Sequence, residues 1–224
     1  MAIVEIEALG SSQPLLATAD LAPPAAWQLN LKRAFDVVVS LLALAVAGPV
    51  LLVVMTLVWL ESPAPPIFKQ RRLGLGGREF SMFKVRTMVP NAESMRAQLE
   101  HLNEAAPLFK ITNDPRVTKV GRFLRATSLD ELPQLLNVLR GEMSLVGPRP
   151  RLPSEFDLSV PRQRHRFIVK PGLAGLWQVR GRARLGFDEA LEIDLEYIRR
   201  WSFLFDLELI LRTAWVVLTC RGAY

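Results

Sequence analysis

Polar and apolar positions divide the chain into an uncharged apolar run, a basic middle and an amphipathic end. Residues 37–60 carry no charged side chain. As a straight helix this stretch would reach about 36 Å, enough to cross a hydrocarbon layer of about 30 Å. Gly48 and Pro49 fall at its centre, where proline removes a backbone hydrogen bond and crowds the preceding turn, so that a helix kinks or breaks. Each half would then be about 17 Å long, too short to cross alone. Lys32 and Arg33 precede the run, and Lys69, Arg71 and Arg72 follow it, so both flanks carry the charge typical of a cytoplasmic end. A re-entrant hairpin that dips in, bends at Gly48 and Pro49 and returns to the same face satisfies both flanks. A kinked single span is the competing geometry. Trp59, near the exit, suits the headgroup level.

Beyond the run, three prolines within 62–66 make a rigid loop. Residues 67–72 and 80–86 read as paired strands about a turn at 73–77, with Lys84 and Arg86 on one face of the second. The glycine spacing in that turn matches neither a dinucleotide fingerprint nor a phosphate-binding loop. Asn91 caps an expected helix through Glu104, with Met95, Leu99 and Leu102 as its apolar stripe and Pro107 beyond its end. Residues 108–112 suggest a short strand and 113–116 a turn. A central helix is expected over 127–139, and an apolar strand within 141–151 runs into Pro148-Arg149-Pro150. Residues 187–200 form an amphipathic pattern, with Phe187, Leu191, Leu195 and Ile198 on one side. Residues 201–220 are apolar but hold Asp206, Glu208 and Arg212, which fits an interfacial or core helix better than a span.

The expected class is mixed α/β and helix-rich: a poorly ordered tail over 1–31, a re-entrant anchor over 32–61 and a small cytoplasmic domain over 62–224 with interfacial helices at its end. The opening residues include Glu5, Glu7 and Asp20 with no basic residue ahead of an apolar core, so no secretory signal is read there. Charge sharpens the picture. Lysine and arginine total 28 against 22 acids, and within 140–184 ten basic residues face three acids. Such a segment calls for an anionic partner, with nucleic acid, lipid headgroups and nucleotides as the candidate classes. Cys220 is the only cysteine, which excludes an internal disulfide, and His101 and His165 are too isolated for a metal-type spacing.

Candidate chemistry centres on Asp130 and Glu131. Arg122 and Arg125 precede them, and Arg140, Arg149 and Arg151 follow, a field expected to favour the ionised carboxylates. Ser128 with Glu131 three residues later also spells a capping box, on which reading both acids are structural. Pro133 sits awkwardly with that start, and a later start removes the difficulty. Prolines on both sides of Arg149 hold one guanidinium in an extended backbone suited to a phosphate. Trp177 among arginines offers a surface on which a base could stack.

These residues also carry a resemblance. Residues 32–224 resemble the bacterial sugar transferases known as monotopic phosphoglycosyl transferases. The likeness rests on KRAFD at 32–36, the central Gly48-Pro49, FKVRTM at 83–88, the long block DPRVTKVGRFLRATSLDELPQLLNVLRGEMSLVGPRP at 114–150, PGLAGLWQVRGR at 171–182 and the closing RGAY. Many members have Ser-Pro at the membrane break, where this chain has Gly48. The resemblance implies transfer of a sugar 1-phosphate from a UDP-sugar to a polyprenyl phosphate, undecaprenyl phosphate in bacteria, with release of UMP at the start of exopolysaccharide or other surface glycan synthesis. It implies Asp130 as nucleophile, Glu131 as its partner in holding Mg²⁺, and Pro148, Arg149 and Pro150 as substrate-binding; from their charge, Lys84, Arg86, Arg122 and Arg125 are expected to join them as grips on phosphate. A direct transfer with Asp130 only binding metal, and a non-catalytic basic binding module, are the competing functions. The expected partners are the donor, the lipid acceptor and the inner leaflet of the cytoplasmic membrane, with no nucleic acid. The apolar end beyond 201 could also serve a homodimer. Glucose or galactose phosphate is the expected cargo.

Overall fold

The computed structural model describes residues 25–104, 109, 111–180 and 186–218. The expected tail up to 24, Pro107, positions 108 and 110, Cys220 and the closing RGAY lie outside the described residues, and positions 109, 111 and 112, where a short strand is expected, form none. The hairpin is as expected: β1 (Ile67–Leu73) pairs antiparallel with β2 (Glu79–Val85), Ile67 opposite Val85 and Leu73 opposite Glu79. Gly76 and Gly77 supply the positive φ angles of the turn between them. A second, parallel pair joins β3 (Ser144–Val146) to β4 (Gly172–Ala174). The two backbones approach so closely that a Cβ on Gly172 would stand 2.0 Å from the Gly147 nitrogen, which only glycine permits.

Helices pack around these ribbons. In chain order they are α1 (Ala26–Glu61), α2 (Lys119–Thr127), α3 (Gln134–Arg140), α4 (Pro161–His165), α5 (Leu176–Arg180), α6 (Phe187–Arg200) and α7 (Phe203–Leu218). The main core draws Leu135 and Val138 from α3, Leu145 and Val146 from β3, Ile193 and Tyr197 from α6, and Phe205 and Leu209 from α7. The apolar spacing of α6 leads to this burial, and the Glu189 carboxylate accepts the Gly186 amide at its amino-terminal end (3.2 Å). On α7 one face buries Phe205 and Leu209 while Leu204, Leu211 and Trp215 stay exposed, so its charges fit the core or surface helix expected.

α1 is a single helix with Pro49 inside it, so the centre is not a gap between two elements. It is the one helix among the described residues long and apolar enough to cross a membrane. Leu41, Leu42, Val46, Leu52, Val53 and Leu60 are exposed along it. Both of its ends engage the same folded body. Near the start, Arg33 donates to the carbonyls of Val138 (2.6 Å) and Leu139 (2.7 Å), closing the carboxyl end of α3. Lys32 donates to the Val146 carbonyl and to Asp206, and Asp36 accepts the Leu145 amide at 3.1 Å. Near the finish, Glu61 accepts the amides of Lys119 and Val120 at the mouth of α2, while Val54 and Val58 pack with Val85 and Leu124.

Two further expected elements differ. Residues 91–104 form turns and a short 3-10 segment (Ala97–Leu102) rather than an α-helix. Leu102 is exposed and only Ala92 of that stretch is buried, so the apolar stripe finds nothing to pack against, and local propensity alone does not hold so short a helix. The central helix does not begin at Thr127. Thr127 ends α2, whose start is capped by Thr118 accepting the Gly121 amide at 2.9 Å. Val120 and Leu124 form the packed side of α2, and Gly121 is required where a Cβ would lie 2.0 Å from the Thr87 carbonyl oxygen.

Candidate active site

Ser128 turns the chain between α2 and α3. It closes α2 in the left-handed region, φ 59°, the only non-glycine residue among those described with a positive φ. It is therefore not the amino-terminal cap of a capping box. Leu129–Glu131 follow as a 3-10 turn, Pro133 stands just before α3, and the later helix start removes the difficulty with that proline. A bulky side chain rarely accepts this backbone, and such residues gather where geometry is imposed from outside. Here the turn points Asp130 inward, buried, with Glu131 half-buried beside it.

β2 brings Lys84 to the pair. Its Nζ lies 2.9 Å from the Glu131 carboxylate and 3.9 Å from that of Asp130. Asn137, fully buried on α3, fixes the two elements together: its amide donates to the Ser81 carbonyl (2.8 Å) and to Glu142, and its oxygen accepts the Phe83 amide (3.0 Å). Lys84 is thus held opposite the carboxylates by the residues just before it on β2. Burial pushes the Asp130 carboxyl up to about 6, against the pull of Lys84 and with the push of Glu131, Arg125 opposing the rise more weakly. The cationic field therefore does not keep this acid ordinary, as the arginine count suggested. Desolvation wins, because the side chain is cut off from the water that screens and solvates charge.

The other expected cations divide. Arg125 donates to the Thr87 hydroxyl at 3.0 Å and lies close enough to Asp130 to favour its ionised form. Arg122 is exposed on α2. Arg86 does not join Lys84 as a phosphate grip. Its guanidinium donates to the carbonyls of Ser62, Ala64, Pro65 and Met88 and to the Ser62 hydroxyl, which ties the proline loop to the hairpin. Period-two alternation told which face it occupies and not what meets it there.

Opposite the carboxylates stands a wall of arginine. β3 runs into Pro148-Arg149-Pro150, and the Pro148 carbonyl accepts the Gly172 amide at 2.8 Å. The Arg149 guanidinium lies over the Trp177 ring, 4.3 Å from its centroid. Arg72 donates to the Pro150 carbonyl, and Arg166 to that of Arg149 at 2.7 Å. Arg166 is itself buried in a paired contact with Asp194 of α6 at 2.6 Å. Burial, then the nearby Arg149, lowers Arg72 and Arg151 to about 10, still fully cationic at neutral pH. Arg72, Arg151 and Arg166 carry no local pattern that separates them from solvated arginines, and only the fold reveals them.

Between the two walls lies a narrow cleft, lined by Lys84, Glu131 and Gln134 on one side and Arg72, Arg149, Pro150 and Trp177 on the other. Among the described residues no group of three or more His, Cys, Asp or Glu side chains could hold a metal ion. Two carboxylates side by side do fit Mg²⁺, which takes one or two protein carboxylates and completes its oxygen shell from phosphate and water.

Comparison with known proteins gives a consistent picture. Residues 27–220 match the family described as bacterial sugar transferase. The chain is 41% identical over 199 residues to an undecaprenyl-phosphate galactose phosphotransferase of Salmonella typhimurium, covering 87% of this chain and 42% of that protein. It is 40% identical over 198 residues to the exopolysaccharide production protein ExoY of Sinorhizobium fredii, covering 86% and 88%. With a UDP-glucose:undecaprenyl-phosphate glucose-1-phosphate transferase of Caulobacter vibrioides it shares 44% over 205 residues, covering 86% and 72%. The chain thus spans less than half the length of the Salmonella relative and most of the length of ExoY.

Proposed function

The chain belongs to the bacterial sugar transferase family, and from that membership we propose that it moves a sugar 1-phosphate from a UDP-sugar to undecaprenyl phosphate or a related polyprenyl phosphate, releasing UMP, as the first membrane step of exopolysaccharide or other surface glycan synthesis. The observation that carries this reading is a buried carboxylate, Asp130, which has Lys84 and Arg125 near it and stands next to Glu131 on the wall of an arginine-lined cleft. The relatives include an undecaprenyl-phosphate galactose phosphotransferase and a UDP-glucose:undecaprenyl-phosphate glucose-1-phosphate transferase, which supports the substrate class.

In the reaction, an ionised Asp130 oxygen attacks the phosphorus that bears the sugar. A carboxylate-phosphorus bond forms, the bond to the bridging oxygen breaks, and that oxygen leaves as UMP. An oxygen of the polyprenyl phosphate then attacks the same phosphorus and returns Asp130 as a free carboxylate. Burial helps the first step, since a poorly hydrated carboxylate sheds little solvent on attack. Lys84 holds Glu131 and faces Asp130 and, with Arg149 and Arg72, lies where phosphate charge would accumulate, the main requirement of phosphoryl transfer. Asp130 and Glu131 would hold Mg²⁺, which when bound offsets the negative charge of the donor diphosphate.

The membrane geometry belongs to the same reading. Both ends of α1 bind one body, and both flanks of its apolar stretch are basic, which supports a re-entrant anchor with the cleft on the cytoplasmic side of the inner membrane. The exposed stripe of α7 would bed into the same leaflet. The test is chemical. Incubated with UDP-sugar and Mg²⁺ but no lipid, the protein releases UMP and gains the mass of one sugar phosphate on the peptide containing Asp130, and Asp130→Asn does neither. UMP release that requires the lipid, with no adduct, would replace this mechanism by direct transfer.

A further inference from the structure

Gln134 is the first residue of α3, 3% exposed, and its side chain makes no hydrogen bond among the described residues. Its amide atoms are nevertheless not sealed in the interior, because the residue lines the cleft between Glu131 and Arg149. A buried amide without a partner is costly unless something else satisfies it. Other polar side chains on the cleft wall have one-way chemistry: Arg72, Lys84, Arg149 and Trp177 only donate, and ionised Glu131 only accepts. Phosphate oxygens accept only, and the arginines and Lys84 already supply donors for them. A hydroxyl both donates and accepts, and among the described lining side chains Gln134 is the one that can answer in both senses.

We propose that Gln134 reads a hydroxyl of the transferred sugar, and so sets which UDP-sugar the cleft accepts. This rests on the phosphoglycosyl transfer reading above. The placement suits the role: Gln134 is four residues past Asp130, on the same wall as Glu131, and so beside the phosphorus to which the sugar is joined. A site built to hydrogen-bond one hydroxyl discriminates against donors in which that hydroxyl is absent or inverted, because the amide is then left unpaired in a buried place.

The experiment measures UMP release by wild type, Gln134→Met and Gln134→Asn over a set of UDP-sugars differing at single hydroxyls, together with the thermal shift that UMP induces. Gln134→Met keeps the length of the side chain without its polar atoms, and Gln134→Asn keeps the amide but draws it back by one methylene. The expected result is that kcat/KM for the preferred donor falls about tenfold in both variants, mostly through KM. The poorer donors change little, so the preference flattens, and the UMP shift stays that of wild type. A loss equal for all donors with a weaker UMP shift would assign the amide to the nucleotide and overturn the proposal. An equal fall in kcat alone would assign it to the carboxylates, and unchanged preference would leave it no role; each also overturns it. If wild type releases UMP from no UDP-sugar, the reading of the function itself has failed, a result distinct from all of these.

Discussion

Asp130 carries a proton more readily in this fold than it would in water, and the cause is burial, which three nearby charges modify without reversing. Two consequences follow in opposite directions. The nucleophile must be ionised, so kcat/KM for the donor should climb about tenfold per pH unit below about 6 and level off above it, a profile to be read from initial rates of UMP release. Stability runs the other way. A carboxyl whose folded value lies above its unfolded value contributes most below pH 4, and that contribution is lost as pH rises from about 4 through about 6. Asp130→Asn should therefore be more stable than wild type by about 1–3 kcal/mol in neutral buffer, by denaturant titration, while losing turnover. If the variant is no more stable at pH 7.5, the raised value is wrong. At this scale the sequence was legible for Asp130, Glu131, Lys84 and Arg149, whose types and proximity announce phosphate chemistry. It was not legible for Arg86 or Arg166, since the same guanidinium serves a loop, a buried carboxylate or a ligand according to what the fold sets beside it.

Elements hold the two walls apart and in register. Asn137 joins α3 to β2, so the carboxylates and Lys84 move as one piece. Replacing it with leucine strands the Phe83 amide and the Ser81 carbonyl, and should lower stability by about 2–4 kcal/mol. The opposite wall leans on Arg166 and Asp194. Asp194→Ala leaves a buried guanidinium unpaired and should cost about 3–5 kcal/mol, whereas Glu192→Ala, which removes only exposed contacts, that with Arg162 among them, should leave stability nearly unchanged. Equal losses at the two sites would contradict this assignment of the support. The hairpin and α6 were readable because strand alternation, turn glycines and a 3.6-residue apolar stripe agree with one another there. The start of α3 was misread because Ser128 and Glu131 imitate a cap, and nothing local reveals that Ser128 closes the preceding helix instead. The stretch 91–104 was misread for the converse reason: a helical stripe was present, but no surface was there to receive it.

For the whole molecule, the unusual property is that a long apolar helix leaves the body and is still fastened to it at both ends. The basic flanks and the central proline were visible in the chain; the fastenings at Lys32, Arg33, Asp36 and Glu61 were not, because they depend on residues more than fifty, and mostly more than a hundred, positions away. Under the re-entrant reading, cysteines placed at Gln28 and at Ser62 should both react with a membrane-impermeant maleimide only when the cytoplasmic face is open. Replacing Pro49 by leucine should favour a straight span and move position 28 to the opposite face. If position 28 of the unaltered protein is labelled from the periplasm, the anchor crosses the bilayer.

The grip of Asp36 on Leu145 and of Lys32 on Val146 has one more outcome, since these backbone groups lie just ahead of Arg149. Whatever tilts the foot of the anchor also tilts the arginine that faces the donor, so a thinner or thicker bilayer would be felt as a change of leverage on the cleft. Vesicles of shorter or longer acyl chains should then alter the catalytic constant of the native protein, and alter it much less once Asp36 is alanine and the lever has lost its pivot.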